Sequence, residues 1–336
     1  MTSRSTISDV AAAARVSIST VSLVMNGKGP VAEATRKRIQ RIAQEMGYAP
    51  SRSARGLAAR RTGNIGFVLR EDHFRQSEPF YTRVFLGAEF EARRRGLYVL
   101  LATVPHAYDP KADAPRFLAE HSVDGVVVAG GVSPLLLAQM RERSIPLILA
   151  DYAWNDAPVV SIDNVGGAEL IAAHLVERGH TTVGFLGADA QHPSPPARRD
   201  AFVAAMAAAG HPIAGSNVVM ADGPTDRPTG AAAGATLLDA RPRPSAVFCA
   251  NDALALGLMD VARERGISIP DDLAVVGFDD VEGAALASPS LTTVRVPKEG
   301  LGEVALGLLA EGVRDDVSAI PPLTHTPTEL VVRASS

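Results

Sequence analysis

One cysteine in 336 residues, Cys249, leaves nothing from which to build a disulfide framework or a multi-cysteine zinc site, and it suits a reducing compartment. Aromatic residues are sparse at 5%, with a single tryptophan, Trp154. Long uninterrupted apolar runs are missing too. The greasiest stretch, residues 123–140, contains Asp124, Gly125, Gly130, Gly131 and Pro134. It therefore reads as a buried strand, a turn and a helix start, not a membrane span. The first residues are polar and lack the apolar centre of a secretion signal, so the expected location is the cytoplasm. There is no Gly-x-Gly-x-x-Gly after a strand, no Gly-Lys-Ser/Thr phosphate loop and no Gly-x-Ser-x-Gly elbow. These absences weigh against an enzyme, and no catalytic residue, cofactor or metal is expected.

Charge is present but unevenly placed. Residues 1–61 hold eleven basic and three acidic side chains, a net of +8, while the remainder holds 22 basic and 34 acidic, a net of −12. A basic head on an acidic body is what a reader of polyanions needs. The head also has a pattern. Thr6 with Asp9 forms a short-acid capping box before a small-residue helix containing Val10 and four consecutive alanines. Ser17 can cap a second helix in which Val21, Val24 and Met25 share a buried face, while Ile18, Ser19, Ser22 and Leu23 point outward. A third helix over residues 32–46 supplies Ile39, Ile42, Ala43 and Met46 and stops at Gly47. Two short helices on a tight turn, the second with small side chains outward, describe a helix-turn-helix.

From Asn64 onward short apolar runs alternate with helical stretches. Strands are expected over 65–69, 98–103, 125–128, 146–150, 183–186, 246–249 and 273–277. Arg-Gly pairs at Arg95-Gly96, Arg178-Gly179 and Arg265-Gly266 end the intervening helices. Fully apolar strands imply parallel sheets covered on both faces, and their number implies two subdomains. Ligands in such folds sit beyond the strand C-termini. Asp151, Asn251-Asp252 and Asp279-Asp280 all fall just after strands, and Arg198-Arg199 opens a helix. Together they suit bidentate hydrogen bonding to sugar-like hydroxyls. Taken singly, each is better explained as a helix cap, Asn251 and Asp252 above all.

The sequence resembles the lactose-repressor (LacI/GalR) family along essentially its whole length. The likeness rests on Ile7-Ser8-Asp9-Val10-Ala11, on Val16 to Gly27, and on Gly47-Tyr48-Ala49-Pro50. Further along it rests on Arg178-Gly179-His180, Asn251-Asp252-Ala253, Val276-Gly277-Phe278-Asp279-Asp280 and Pro289-Ser290-Leu291-Thr292-Thr293-Val294. It implies a three-helix DNA-binding head (1–50), a hinge helix (51–61) and a two-lobed, periplasmic-binding-protein-like effector domain (62–336). The N-lobe is expected to comprise about 62–162 and 293–323, and the C-lobe about 163–292 and 324–336. In this resemblance Ile18, Ser19 and Leu23 read bases, while Thr20, Ser22 and Asn26 touch phosphates. Leu57, with Ala54 and Arg52, sits in the minor groove. Many relatives carry Arg where Leu23 stands, so the operator does not transfer.

The effector contacts implied are Asp151, Arg198, Asn251 and Asp279, with apolar walls at or beside Phe80, Tyr81, Ile162 and Phe278. The partners implied are a pseudo-palindromic double-stranded operator, a sugar-like effector and a second copy in a homodimer. No leucine heptad follows Arg333, so the tetramerising tail of some relatives is not expected. The resulting expectation is a repressor whose operator affinity changes with effector. A ligand-dependent activator, or a corepressor-requiring regulator answering to a nucleoside or sugar phosphate, stays open. A transport solute-binding protein would share the fold but would not need the basic head.

Overall fold

A computed structural model describes residues 5–25, 29–48, 61–73 and 80–336. The chain divides into a small unit ending at Gly63, joined by Ser122–Asp124, and a large unit formed by the rest. In the small unit α1 (Ile7–Ala14), α2 (Ile18–Met25) and α3 (Glu33–Glu45) surround Val10, Ala11, Ala14, Val21, Val24, Ile39 and Ala43. None of these helices is long enough to persist alone, so the shared core supplies their stability. Local chemistry fixes their ends. The Thr6 hydroxyl accepts from Asp9 N at 3.3 Å, and the Asp9 carboxylate accepts from Thr6 N at 2.8 Å. Arg15 turns the chain at φ +52, and Ser17 Oγ accepts from Thr20 N at 3.1 Å to open α2.

The large unit contains two parallel sheets. β1 (Asn64–Arg70), α4 (Phe80–Arg94), β2 (Tyr98–Val104), α5 (Arg116–Glu120), β3 (Gly125–Ala129), α6 (Pro134–Glu142), β4 (Leu147–Ala150) and β5 (Val159–Ile162) build the N-lobe. The chain then crosses to the C-lobe. There α7 (Asn164–Glu177), β6 (Val183–Ala188), α8 (Ser194–Ala208), β7 (Val218–Ala221), α9 (Arg227–Leu238) and β8 (Ala246–Cys249) precede α10 (Asp252–Glu264), β9 (Ala274–Val276) and α11 (Glu282–Leu286). β10 (Thr293–Arg295) returns to α12 (Lys298–Arg314) and β11 (Leu323–Thr326), and β12 (Glu329–Val331) crosses back.

The N-lobe sheet runs β11-β5-β4-β3-β1-β2, the C-lobe sheet β7-β6-β8-β9, and β10 pairs antiparallel with β12. Because β11 stays in the N-lobe sheet through Thr326, the last crossing falls after 326 and not near 323. Gly96, Gly179 and Gly266 lie at φ +68, +83 and +68, where the Arg-Gly punctuation requires a left-handed residue. Among the described residues each lobe holds a helix pair in close backbone contact. A Cβ on Gly302 of α12 would come within 1.9 Å of Val84 O in α4, and one on Gly257 of α10 within 2.2 Å of Arg227 O in α9. The C-lobe core is aromatic, with the rings of Phe185, Phe202 and Phe278 between 5.1 and 6.4 Å from a neighbouring ring and Phe248 at their centre. Cys249 lies in that core, and burial pushes its thiol well above the ordinary range. Among the described residues no single helix is long and apolar enough to cross a membrane.

Candidate effector cleft and nucleic-acid interface

The outward face of α2 is apolar at both ends. Ile18 and Leu23 are exposed, Ser19 lies between them, and Thr20 and Ser22 are half-buried. Ser17 Oγ lies 2.7 Å from Ser19 Oγ and 2.8 Å from Thr20 Oγ1, so these hydroxyls are bound to the cap. Asn26, Arg52, Ala54 and Leu57 lie outside the described residues.

In the large unit, strand ends deliver carboxylates to one cavity of about 540 Å³. Asp151 follows β4 at φ +56, Asp189 follows β6 at φ +50 and Asp279 follows β9 at φ +109. Aspartate tolerates such left-handed backbone better than most residues. The groups form a chain of hydrogen bonds across the lobes. Tyr81 Oη donates to Asp151 Oδ2 at 3.0 Å, and Ser194 Oγ of the C-lobe donates to Asp151 Oδ1 at 2.9 Å. Asn164 Nδ2 donates to Ser194 Oγ at 3.2 Å, and Asn164 Oδ1 accepts from Arg198 Nε at 2.7 Å. Arg198 Nη1 donates to Ala250 O at 2.6 Å and stands 3.4 Å from Asp279 Oδ1. Its guanidinium lies 3.7 Å over the Phe278 ring.

Burial raises the Tyr81 phenol, with Asp151 adding to it, and raises Asp279 against the pull of Arg198 and Lys298. Behind the cavity Asp252 is fully buried, accepting from Val281 N at 2.8 Å and from the Thr293 hydroxyl at 2.5 Å. Burial, then the neighbouring Asp279, push its carboxyl up to about 8. Lys298, at the start of α12, donates to the carbonyls of Asp279 and Asp280 and so ties the N-lobe to the C-lobe loop.

A basic helix-turn-helix ahead of a two-lobed cleft narrows the field, and comparison decides it. Residues 6–51 match the pattern of bacterial regulatory proteins of the lacI family, and residues 172–336 match a periplasmic binding protein-like domain. The HTH-type transcriptional regulator DegA of Bacillus subtilis is 34% identical over 341 residues, spanning 99% of this chain and 98% of its own. This chain belongs to the LacI family. The HTH-type transcriptional repressor PurR of Vibrio atlanticus is 33% identical over 314 residues, 92% of each chain. The structure of a complex of the transcriptional regulator CelR with cellobiose covers 99% of this chain and all of its own, with a TM-score of 0.74 at 30% identity. As a LacI-family member the protein is a DNA-binding transcriptional regulator with a ligand-binding effector domain.

Of the effector contacts expected from sequence, Phe80, Tyr81, Asp151, Arg198, Asn251 and Asp279 line this cavity. Ile162 and Phe278 do not: both are buried in the C-lobe core, and Phe278 reaches the cleft only through the Arg198 guanidinium stacked on it. Asn251 has a double role, since its Oδ1 caps α10 at Leu254 N while its Nδ2 donates to Thr225 O. Trp154 lies under the Arg141 guanidinium, away from the cavity lining. Sequence reasoning missed His73, His192 and Ser194, which also line the cavity, and Asn164, which orients Arg198. Ser194 and Asn164 each stand at the first turn of a helix facing the cleft, and that position was the available signal.

Proposed function

We propose that the protein is a cytoplasmic repressor that binds a pseudo-palindromic operator as a homodimer and acts by binding, not catalysis. Its effector is a neutral, polyhydroxylated molecule held between the lobes. The observation that carries this reading is the run Asp151–Ser194–Asn164–Arg198–Asp279, in which donors and acceptors alternate around the cavity. A sugar hydroxyl both donates and accepts, so it can replace any link of such a run. An anion is disfavoured. Asp151, Asp189, Asp279 and Glu282 face the space with Arg198 and Arg227, and Arg227 is already paired with Asp260 at 2.6 Å. A nucleoside is the second reading, favoured by the flat stack of His73 on Tyr81 at 4.5 Å.

Dimerisation is supported by apolar surface outside the cleft. Tyr98 on the edge strand β2 is 58% exposed and Phe90 on α4 48%. Exposed edges and apolar patches of this kind are usually covered by a partner. In the coupling we propose, effector alters the cross-lobe contacts and thereby the spacing of the DNA-contacting segments in the dimer.

A thermal-shift titration against cellobiose and other neutral sugars, sugar phosphates and nucleosides tests the reading. At a hundredfold excess over Kd, a true ligand adds about 2.7 kcal/mol of stability. Stabilisation by neutral sugars is the expected result. Stabilisation by phosphorylated sugars alone would contradict it.

A further inference from the structure

We infer that this protein reads its operator through the C5-methyl groups of thymine, with Ile18 and Leu23 as the contacting side chains. The inference rests on α2 being the helix that enters the major groove. From Ile18 to Met25 there is no arginine, lysine, asparagine, glutamine, aspartate or glutamate. The bidentate pairings that specify guanine or adenine, and the carboxylate that specifies cytosine, therefore have no donor or acceptor on this helix. What the helix offers is apolar: Ile18 is 50% exposed and Leu23 40% exposed, while Val21 and Val24 are spent on the core. The hydroxyls of Ser19 and Thr20 are engaged locally, both by Ser17 Oγ, and a lone hydroxyl pairs with any base and so specifies none.

Leu23 is also held in place. Gly29, at φ +76, packs against it so closely that a Cβ there would fall 3.1 Å from Leu23 Cδ2. A pre-set leucine loses little rotamer freedom on docking. Ile18 and Leu23 are five residues apart, so their side chains are separated by about 7.5 Å along the helix. That spacing reaches base pairs about two steps apart in the groove. The thymine methyl is the only apolar feature that a base pair presents there, and burying one CH₂-sized group is worth about fourfold in affinity. The basic head supplies the phosphate attraction that brings these weak contacts into register.

The test needs no knowledge of the operator in advance. The full-length protein selects duplexes from a random-sequence library. The selected half-site is then resynthesised with deoxyuridine in place of each thymine in turn, which removes only the methyl. Binding measured at fixed salt should weaken about fourfold at one or two positions per half-site. At such a position cytosine should bind worse than 5-methylcytosine, whose methyl occupies the same place in the groove. Leu23→Ala should bring the thymine-to-deoxyuridine ratio at one position to near one, and Ile18→Ala should do so at the other. The inference is overturned if deoxyuridine is neutral at every position, which would leave operator binding itself intact. It is equally overturned if the methyl effect persists in both variants, since DNA shape would then be its source. Failure to enrich any sequence would contradict the placement of α2 on DNA, and the inference with it.

Discussion

Arg198 joins several parts of the cleft: it orients Asn164, holds the end of β8 through Ala250 O, faces Asp279 and covers Phe278. Arg198→Ala removes the guanidinium that faces the Asp279 carboxylate from within the cleft, and loss of such a partner costs about 3 kcal/mol. Urea denaturation should show that loss, while operator binding without effector stays within about twofold and the effector response disappears. An intact response in the variant would remove Arg198 from the binding site. Asp252 gives a pH signature. With its folded pKa near 8 and an ordinary value of 3.8, it binds a proton more tightly folded than unfolded. Its contribution is complete below about pH 4 and is lost as pH rises through 8, so stability falls across that window. Asp279, also raised, acts in the same sense, and Lys298, held below its ordinary range by burial, acts oppositely at higher pH. Asp252→Asn should therefore gain on the native protein between pH 5 and pH 8 in urea midpoint. A difference independent of pH would show that Asp252 does not titrate there.

Helices and strands differ in how plainly their sequences declare them. The three helices of the head were legible because caps and spacing agree, down to Thr6, Asp9 and Ser17. Ser17→Ala removes both the cap of α2 and the anchor of two hydroxyls. It should cost about 1 kcal/mol of head stability and weaken operator binding, as read by denaturation and DNA titration. The central strands were legible because β3, β4, β6 and β8 are buried on both faces and apolar throughout. β5, β7, β10, β11 and β12 were not. They have three or four residues each; β7 is apolar but only half-buried at a sheet edge, and β11 is an edge strand with alternating polar residues. For the cleft, residues after strand ends were legible, but depth was not: Ile162 and Phe278 differ from true wall residues only in how the lobe packs over them. The α4–α12 contact was likewise invisible, since nothing local marks Gly302 as facing Val84 O. Gly302→Ala should destabilise by about 1–3 kcal/mol through overpacking, measurable as a lowered thermal midpoint.

At the scale of the whole molecule, two properties have to be joined: a cleft whose lobes are tied by Ser194 to Asp151 and by Lys298 to the 279–280 carbonyls, and a surface suited to a second copy. Substituting the exposed patch, as in Phe90→Arg with Tyr98→Glu, should shift sedimentation from dimer toward monomer and weaken operator binding, with the effector site of each chain retained. Unchanged sedimentation would place the dimer contact elsewhere. The central claim is that cleft and operator share one equilibrium, and reciprocity makes it measurable. The deciding measurement is operator affinity of the full-length protein titrated across a range of the ligand found by thermal shift. A change of about 5- to 150-fold is expected, together with the same factor in ligand affinity when operator is bound. A ligand that fills the cleft and leaves operator affinity unchanged would contradict it.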